Sequence, residues 1–230
     1  MSDSHTLRVI ARIHSDFQEK FGIPRQSGLV EELQARVVFE PPYRNPDALR
    51  GLEEFSHIWL IWQFSRTARE GFSPTVRPPR LGGNQRLGVF ATRSPFRPNP
   101  IGLSLVRLAE IGQEREAGPV LYVAGADLLD GTPIYDIKPY LPYADCRPEA
   151  VGGFAGTAPE PCLAVDFPPA LLERVPEGDR SALLGVLAQD PRPPYQRDPR
   201  RVYGFGFGGV EVRFTVGDGV LAVAEVRPRA

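Results

Sequence analysis

Short stretches in which apolar and polar residues alternate recur along the N-terminal part of the chain. Residues 7–15, LRVIARIHS, are of this kind, and alternation with a period of two is typical of a strand that buries one face. Residues 57–64, HIWLIWQF, predict a buried central strand, because they are apolar, aromatic and β-branched. Further strands are predicted in ARVVFE, RLGVFAT, GLSLVRLAEI and PVLYVAG. Many strands and few helices predict a mainly β fold, and we expect an N-terminal β-barrel because a closed sheet has no exposed edge.

Two segments carry helix signals instead. In NPDALRGLEEF, Asn45 suits the N-cap, Pro46 the first helical position and Asp47 the first turn, which predicts a short helix. DRSALLGVLAQD predicts an amphipathic helix in the C-terminal part. After it, GVEVRFTVGDGVLAVAEVRP predicts a hairpin that turns at Gly217-Asp218-Gly219.

The composition changes near residue 146, where CRPEAVGGFAGTAPEP has the character of a linker. We therefore predict a β-barrel domain at residues 1–145, a linker at 146–160 and a small α+β domain at 161–230. Residues 65–85, SRTAREGFSPTVRPPRLGGNQ, are rich in arginine, proline and glycine and predict a long surface loop.

Three loops are more polar and more rigid than simple connections require. In ATRSPFRPNPIGLSLV, residues 91–106, three prolines surround Arg93 and Arg97. Proline gives no ladder hydrogen bond and lowers the entropy lost on ordering a loop. We interpret this segment as two barrel strands joined by a stiff loop that presents the two arginines. The segments PRQ (24–26) and LDGTPIYDIKPY (129–140) have a similar character, and a tight β-turn is the alternative for any one of the three.

The charge pattern favours anionic ligands without a strong overall field. The 230 residues carry a net charge of −1 and are 42% hydrophobic, which is ordinary for a globular protein. Only Lys20 and Lys138 are lysines among the 27 basic residues, and the planar fork of arginine suits phosphate and carboxylate. A near-neutral chain still permits nucleic-acid binding through a local basic patch.

No metal, membrane or export signal is found. The three histidines are scattered, so we predict no metal site. Cys146 and Cys162 lie in no metal-like spacing and are interpreted as reduced thiols of a cytoplasmic protein. No apolar run is long enough to span a bilayer, and the N-terminus lacks the features of a signal peptide. GFGFGG has the order of a dinucleotide fingerprint, but an alternating strand follows where a helix is required, so we expect its glycines to shape a strand.

Four blocks of the sequence, FGIPRQSGL, EEFSHIWLIWQF, GVFATRSPFRPNPIGLSLVRL and DLLDGTPIYDIKPYLPYAD, resemble successive blocks of the TsaA-like, or TrmO, family. QDPRPPYQRDPRRVYGFGF is similar to the C-terminal domain of its longer bacterial members. The resemblance implies a dimeric β-barrel enzyme that uses S-adenosylmethionine to methylate N6 of threonylcarbamoyladenosine beside the anticodon of tRNA. The cofactor contacts that it implies are Pro24, Arg25, Gln26, His57, Ile58, Arg93, Leu103, Asp130, Gly131, Thr132 and Pro133.

Methyl transfer from a sulfonium mainly requires positioning of an activated donor. A permanent cation would repel the sulfonium, so we expect the arginines to meet the methionyl carboxylate or the threonyl carboxylate of the modified base. The acceptor N6 has to lose a proton, which favours a general base. IYDIKPY offers Asp136, Lys138 and Tyr140 as candidate catalytic residues, and a surface ion pair between the first two is the alternative.

The arginine-rich loops 66–86 and 192–201 are candidate phosphate contacts for tRNA. The predicted substrate-binding residues are Arg97, Arg192 and Arg197, with Tyr195 and Tyr203 stacking on bases. A solvated surface is the alternative for each arginine. Two alternative functions stay open: a module that binds S-adenosylmethionine or RNA without transfer, and an enzyme that methylates a small acceptor.

Overall fold

The computed structural model describes residues 5–66, 72–82, 84–156, 163–193, 196 and 198–229. The N-terminal part contains strands β1 Ala11–Ser15, β2 Gln34–Phe39, β3 His57–Gln63, β4 Thr75–Val76, β5 Leu87–Gly88, β6 Ile101–Glu114, β7 Gly118–Ala124 and β8 Pro133–Pro139. The rest contains α1 Pro142–Asp145, β9 Ala164–Asp166, α2 Pro169–Leu172, α3 Arg180–Ala188, β10 Tyr203–Phe207, β11 Val210–Gly217 and β12 Val220–Pro228. Short 3-10 helices span Pro41–Tyr43, Pro46–Leu49, Leu52–Glu54, Pro79–Leu81, Val89–Ala91, Gly153–Ala155 and Glu177–Asp179. The prediction of a mainly β fold is confirmed.

Six long strands form one antiparallel sheet in the order β1-β2-β7-β6-β3-β8. The pairings close on themselves, because β1 also pairs with β8 through Ala11 and Ile134. Alternate side chains of each strand fill the interior of this sheet. In β3, Ile58, Leu60 and Trp62 point inward, and the residues between them are partly exposed. The strand is therefore central in the sheet but buries only one face.

The four C-terminal strands form a second sheet in the order β10-β11-β12-β9, with β9 parallel to β12. The predicted hairpin is confirmed, and its turn holds Asp218 and Gly219 at positive φ. Gly208 and Gly209 form the β10–β11 turn, also at positive φ, so the glycine cluster is structural. The predicted amphipathic helix is α3, whose Leu183 is fully buried.

The loop between β1 and β2 packs against the C-terminal sheet. Phe17, Val30 and Leu33 from this loop belong to the same buried cluster as the residues of α3 and β10–β12. Phe17 meets Phe207 edge-on, with ring centroids 5.4 Å apart. On its other side the amide of Gly28 donates to the carbonyl of Gly125 at 2.9 Å. The loop that carries residues 24–26 is thus held from both sides.

Three expectations about local structure are wrong. The predicted helix after Asn45 is two 3-10 turns: the Asn45 side chain accepts from the Asp47 amide as expected, but Gly51 at φ 85° separates the turns. In RLGVFAT only Leu87–Gly88 is a strand, and it pairs with β4 outside the six-stranded sheet. Residues 133–139, part of the segment 129–140 that was expected to be a loop, form the full strand β8 between β3 and β1.

Among the described residues no helix is long and apolar enough to cross a membrane. In the same part of the chain, no group of three or more histidine, cysteine, aspartate or glutamate side chains is placed to hold a metal ion.

Candidate active site

A cavity of about 490 Å³ opens at one rim of the six-stranded sheet. Four connections meet there: residues 23–26 between β1 and β2, the end of β3 with residues 64–66, the stiff segment 92–99 that leads into β6, and residues 127–132 between β7 and β8. They converge because consecutive antiparallel strands bring alternate connections to the same end of a sheet. The volume of the cavity lies within the range of sites that bind small molecules.

Basic residues dominate the charge of this cavity. Arg93 Nη1 donates to Gln26 Oε1 at 2.6 Å, which links the stiff segment to the loop after β1. Arg97 Nη1 donates to the carbonyl of Thr92 at 3.0 Å within its own loop. Lys20 Nζ donates to the carbonyl of Arg66 at 2.7 Å. These contacts fix the directions of the basic side chains before any ligand arrives.

Among the described residues that line the cavity, the one carboxylate is that of Asp127, which ends a buried chain of hydrogen bonds. Trp62 Nε1 donates to Ser104 Oγ at 2.9 Å, and Ser104 Oγ donates to Asp127 Oδ1 at 2.6 Å. Ser104 is only 1% exposed. Burial raises the pKa of the Asp127 carboxyl, while Ser104, Arg93 and the amide of Ser27 oppose the rise.

Ser104 and Asp127 are not among the site residues predicted from the sequence. A signal was present in GLSLV, where a serine occupies an inward-facing position of an alternating strand. A buried hydroxyl needs a partner, so this serine predicted a second polar group nearby.

Several predicted residues come together at the cavity. Those that line it are Pro24, Arg25, Gln26, Arg93, Arg97, Leu103 and Thr132. Asp130, Gly131 and Pro133 flank Thr132 without lining the cavity in the described structure. Asp130 Oδ1 instead faces β1, where it accepts from the amide of Ser15 at 3.2 Å.

His57 and Ile58 are not brought to this cavity. They begin β3, whereas Trp62 and Gln63 at its other end line the site. A seven-residue strand is about 20 Å long at about 3.3 Å per residue. Ile58 is fully buried in the sheet interior. The site therefore uses the other end of this block, residues 62–64, together with residues 65 and 66 that follow it.

Asp136, Lys138 and Tyr140 lie on the outer face of the sheet and do not line the cavity. Lys138 Nζ is 3.0 Å from Asp136 Oδ2, and the two side chains are 62% and 47% exposed. Tyr140 packs near Trp59, with ring centroids 6.0 Å apart. The structure thus contains the ion pair considered as the alternative, and the catalytic role of these residues stays a prediction.

A second cleft of about 990 Å³ adjoins the cavity and shares residues 20 and 23–25 with it. Its opposite wall comes from the C-terminal part and includes Arg192, whose Nε is 2.7 Å from Asp190 Oδ1. Tyr195 and Arg197 lie outside the described residues. Tyr203 is 5% exposed and stacks on Phe214, which argues against the predicted stacking of this ring on a base.

The chain matches the family profile described as tRNA-methyltransferase O N-terminal domain over residues 12–146. It matches the TrmO C-terminal domain over residues 160–229. The chain belongs to the TrmO family. The resemblance noted in the sequence is therefore confirmed.

Relatives and solved structures agree with this assignment. The tRNA (adenine(37)-N6)-methyltransferase of Escherichia coli (strain K12) is 44% identical over 229 residues, covering 96% of this chain and 97% of that protein. A probable S-adenosyl-L-methionine-binding protein of Pyrococcus abyssi (strain GE5 / Orsay) is 42% identical, covering 61% and 70% of the two chains. A crystal structure of TrmO from Pseudomonas aeruginosa has a TM-score of 0.77 at 36% identity, covering 98% and 100%.

Proposed function

We propose that this chain is an S-adenosylmethionine-dependent methyltransferase that methylates N6 of threonylcarbamoyladenosine beside the anticodon of tRNA. Membership of the TrmO family over both parts of the chain supports this activity. The observation that carries the proposal is the convergence of residues 24–26, Arg93, Arg97 and Thr132, which are far apart in sequence, on one cavity. We infer that the closed six-stranded sheet acts as a β-barrel scaffold for this site.

The residues of the cavity fit the cofactor. When bound, S-adenosylmethionine supplies an activated methyl group on a sulfonium. Arg93 and Arg25 offer forks for its methionyl carboxylate, and Pro24, Leu103 and Leu129 offer apolar surface. Gln26 holds Arg93 in place, so little ordering is needed when the carboxylate arrives.

We assign Arg97 to the threonyl carboxylate of the modified base. This guanidinium is anchored by its own loop, so it presents a fixed charge at the cavity independently of Arg93. An unmodified adenosine has no carboxylate and would leave the charge of Arg97 unpaired in the cavity. A site built to pair a group rejects the analogue that lacks it.

The adjoining cleft is our candidate path for the anticodon loop. Lys20, Arg25, Arg80 and Arg192 line it and would contact phosphates. Since tRNA is the substrate, we assign the activity to the cytoplasm, and we retain the three-part division at residues 146 and 160.

We also propose a homodimer. Ile101 and Leu103 are 37% and 48% exposed at the cavity rim, on the outer face that carries Asp136 and Lys138. A second copy on this face would cover the apolar side chains. The predicted catalytic role of Asp136, Lys138 and Tyr140 depends on such a dimer, because none of them reaches the cavity within one chain.

The test uses methyl-labelled S-adenosylmethionine and two threonine tRNAs that differ only in the threonylcarbamoyl group. We expect label on the modified tRNA and background transfer to the unmodified one. Cofactor binding without transfer to either tRNA would favour the alternative, a binding module. Equal transfer to both would contradict the assigned substrate.

A further inference from the structure

We propose that Asp127 is the group that accepts the N6 proton during methyl transfer, and that Ser104, held by Trp62, positions its carboxylate. This inference rests on the proposed function. Asp127 lies in the cavity wall, whereas Asp136, the base expected from the sequence, does not line the cavity.

The geometry fixes the role of each atom in the chain. Because the indole nitrogen of Trp62 can only donate, Ser104 Oγ accepts from it at 2.9 Å and has its own hydrogen free for Asp127. Ser104 Oγ then donates to Oδ1 of Asp127 at 2.6 Å. The serine thus holds one oxygen and turns the carboxylate in one direction.

The surroundings of Asp127 make its carboxylate a stronger base than one on an exposed aspartate. Burial raises the pKa of its carboxyl, and the hydrogen bond from Ser104, the Ser27 amide and the charge of Arg93 limit the rise. A fully desolvated carboxylate without donors would be protonated and inactive, whereas a solvated one would be too weak a base. In contrast, Asp136 is 47% exposed and paired with Lys138.

The step balances within the site. The lone pair on N6 forms the new N–C bond, the methyl–sulfur bond breaks, and its electron pair stays on sulfur as a thioether. The N6 proton passes to Asp127, which becomes a neutral acid and returns the proton to water after product release. The positive sulfonium and the negative carboxylate of Asp127 are both neutralised, so the step leaves the net charge of the cavity unchanged.

The experiment compares the intact wild-type protein with Asp127→Asn and Ser104→Ala, each checked for folding by circular dichroism. For Asp127→Asn we expect kcat for label transfer to fall at least about 100-fold, the ordinary contribution of a general base. The Kd for S-adenosylmethionine, measured by calorimetry, should change less than about threefold. Asp166→Asn, on an exposed position of β9, is the matched control.

Ser104→Ala tests the positioning role through pH. Loss of the donor raises the pKa of the Asp127 carboxyl, so the acidic limb of the kcat–pH profile should move to higher pH. A merely structural serine would lower kcat at all pH values without moving the limb, and that result would overturn its assigned role.

Two further results would overturn the role of Asp127. One is a large rise in the Kd for S-adenosylmethionine with kcat unchanged, which would make Asp127 a ligand of the cofactor. The other is full activity in Asp127→Asn together with loss of turnover in Asp136→Asn. Absence of transfer by the wild-type protein would instead count against the proposed function itself.

Discussion

Arg93 joins two of the loops that build the cavity, and its effect should be measurable without turnover. Arg93→Ala removes the contact to Gln26 and one fork for a carboxylate. A hydrogen bond to a charged group contributes about 1.5–3 kcal/mol, so we expect S-adenosylmethionine to bind about 10- to 100-fold more weakly by calorimetry. Arg115→Ala, at an exposed turn, should bind like the wild type. An unchanged Kd in Arg93→Ala would show that Arg93 does not meet the cofactor.

At the same scale, Gly102 controls whether the Trp62–Ser104–Asp127 chain can form. A Cβ at this position would overlap the indole ring of Trp62, whereas a Cβ on Gly88 would meet nothing within 4 Å. Overpacking of this kind destabilises by about 1–3 kcal/mol. We expect Gly102→Ala to lower the unfolding temperature and kcat together, and Gly88→Ala to change neither. Equal behaviour of the two variants in thermal unfolding would contradict the close approach.

Single residues also show which parts of the site could be predicted from the sequence. The blocks around residues 24–26, 93–97 and 132 were found because their polar and proline-rich loop composition can be recognised in the sequence alone. Asp127 was missed because its significance lies in burial and in the partner that β6 supplies, 23 residues away in sequence. His57 was chosen from a block whose far end reaches the site, since a resemblance identifies a block and does not indicate which end of a strand faces a cavity.

At the scale of elements, strand pairing decides whether a segment with an ambiguous hydrophobic pattern becomes a strand. Residues 86–92 alternate well enough for a strand, yet only two of them pair, because the partner in reach is the two-residue β4. Residues 133–139 carry Asp136, Lys138 and two prolines, which weaken a strand signal, but β8 lies between β3 and β1 and completes the ring of pairings. Sheet register depends on both paired strands. The short β5 and the full-length β8 could therefore not be predicted from the sequence of either segment alone.

The loop between β1 and β2 carries a pH-dependent contact with the C-terminal part. Burial, with the nearby charges of Asp179 and Asp130, raises the pKa of Asp16 from 3.8 to about 6. The folded state then binds more protons than the unfolded state between these values, so this contribution to stability is full below pH 3.8 and is lost as the pH rises through about 6.

Asp16→Asn should therefore stabilise the protein at pH 8 and have little effect below pH 4. A shift of about two units corresponds to about 3 kcal/mol, which we reduce to about 1 kcal/mol because Asp16 is only partly buried. Thermal unfolding of both proteins at the two pH values measures the difference. Asp198→Asn, at an exposed site, is the control. A gain of equal size at both pH values would exclude the ionisation of Asp16 as its cause.

At the scale of the molecule, the site depends on a core that both parts of the chain share. The buried cluster around α3 and β10–β12 includes Phe17, Val30 and Leu33 from the loop after β1, and the same loop continues to residues 24–26 of the cavity. The C-terminal part thus supports a wall of the cavity as well as the adjoining cleft. We therefore expect cofactor affinity to respond to packing changes inside the C-terminal core.

Phe17→Ala tests this coupling. The side chain is 1% exposed and packs on Phe207, and loss of such a ring destabilises by about 3–5 kcal/mol. We expect scanning calorimetry to show a lowered unfolding temperature, and S-adenosylmethionine to bind more weakly to the still-folded protein at low temperature, because residues 24–26 lose one of their supports. Phe72→Ala, at a ring that is 50% exposed, should leave both measurements within error. A destabilised Phe17→Ala protein with wild-type cofactor affinity would show that the barrel side alone holds the loop, through contacts such as Gly28 with Gly125.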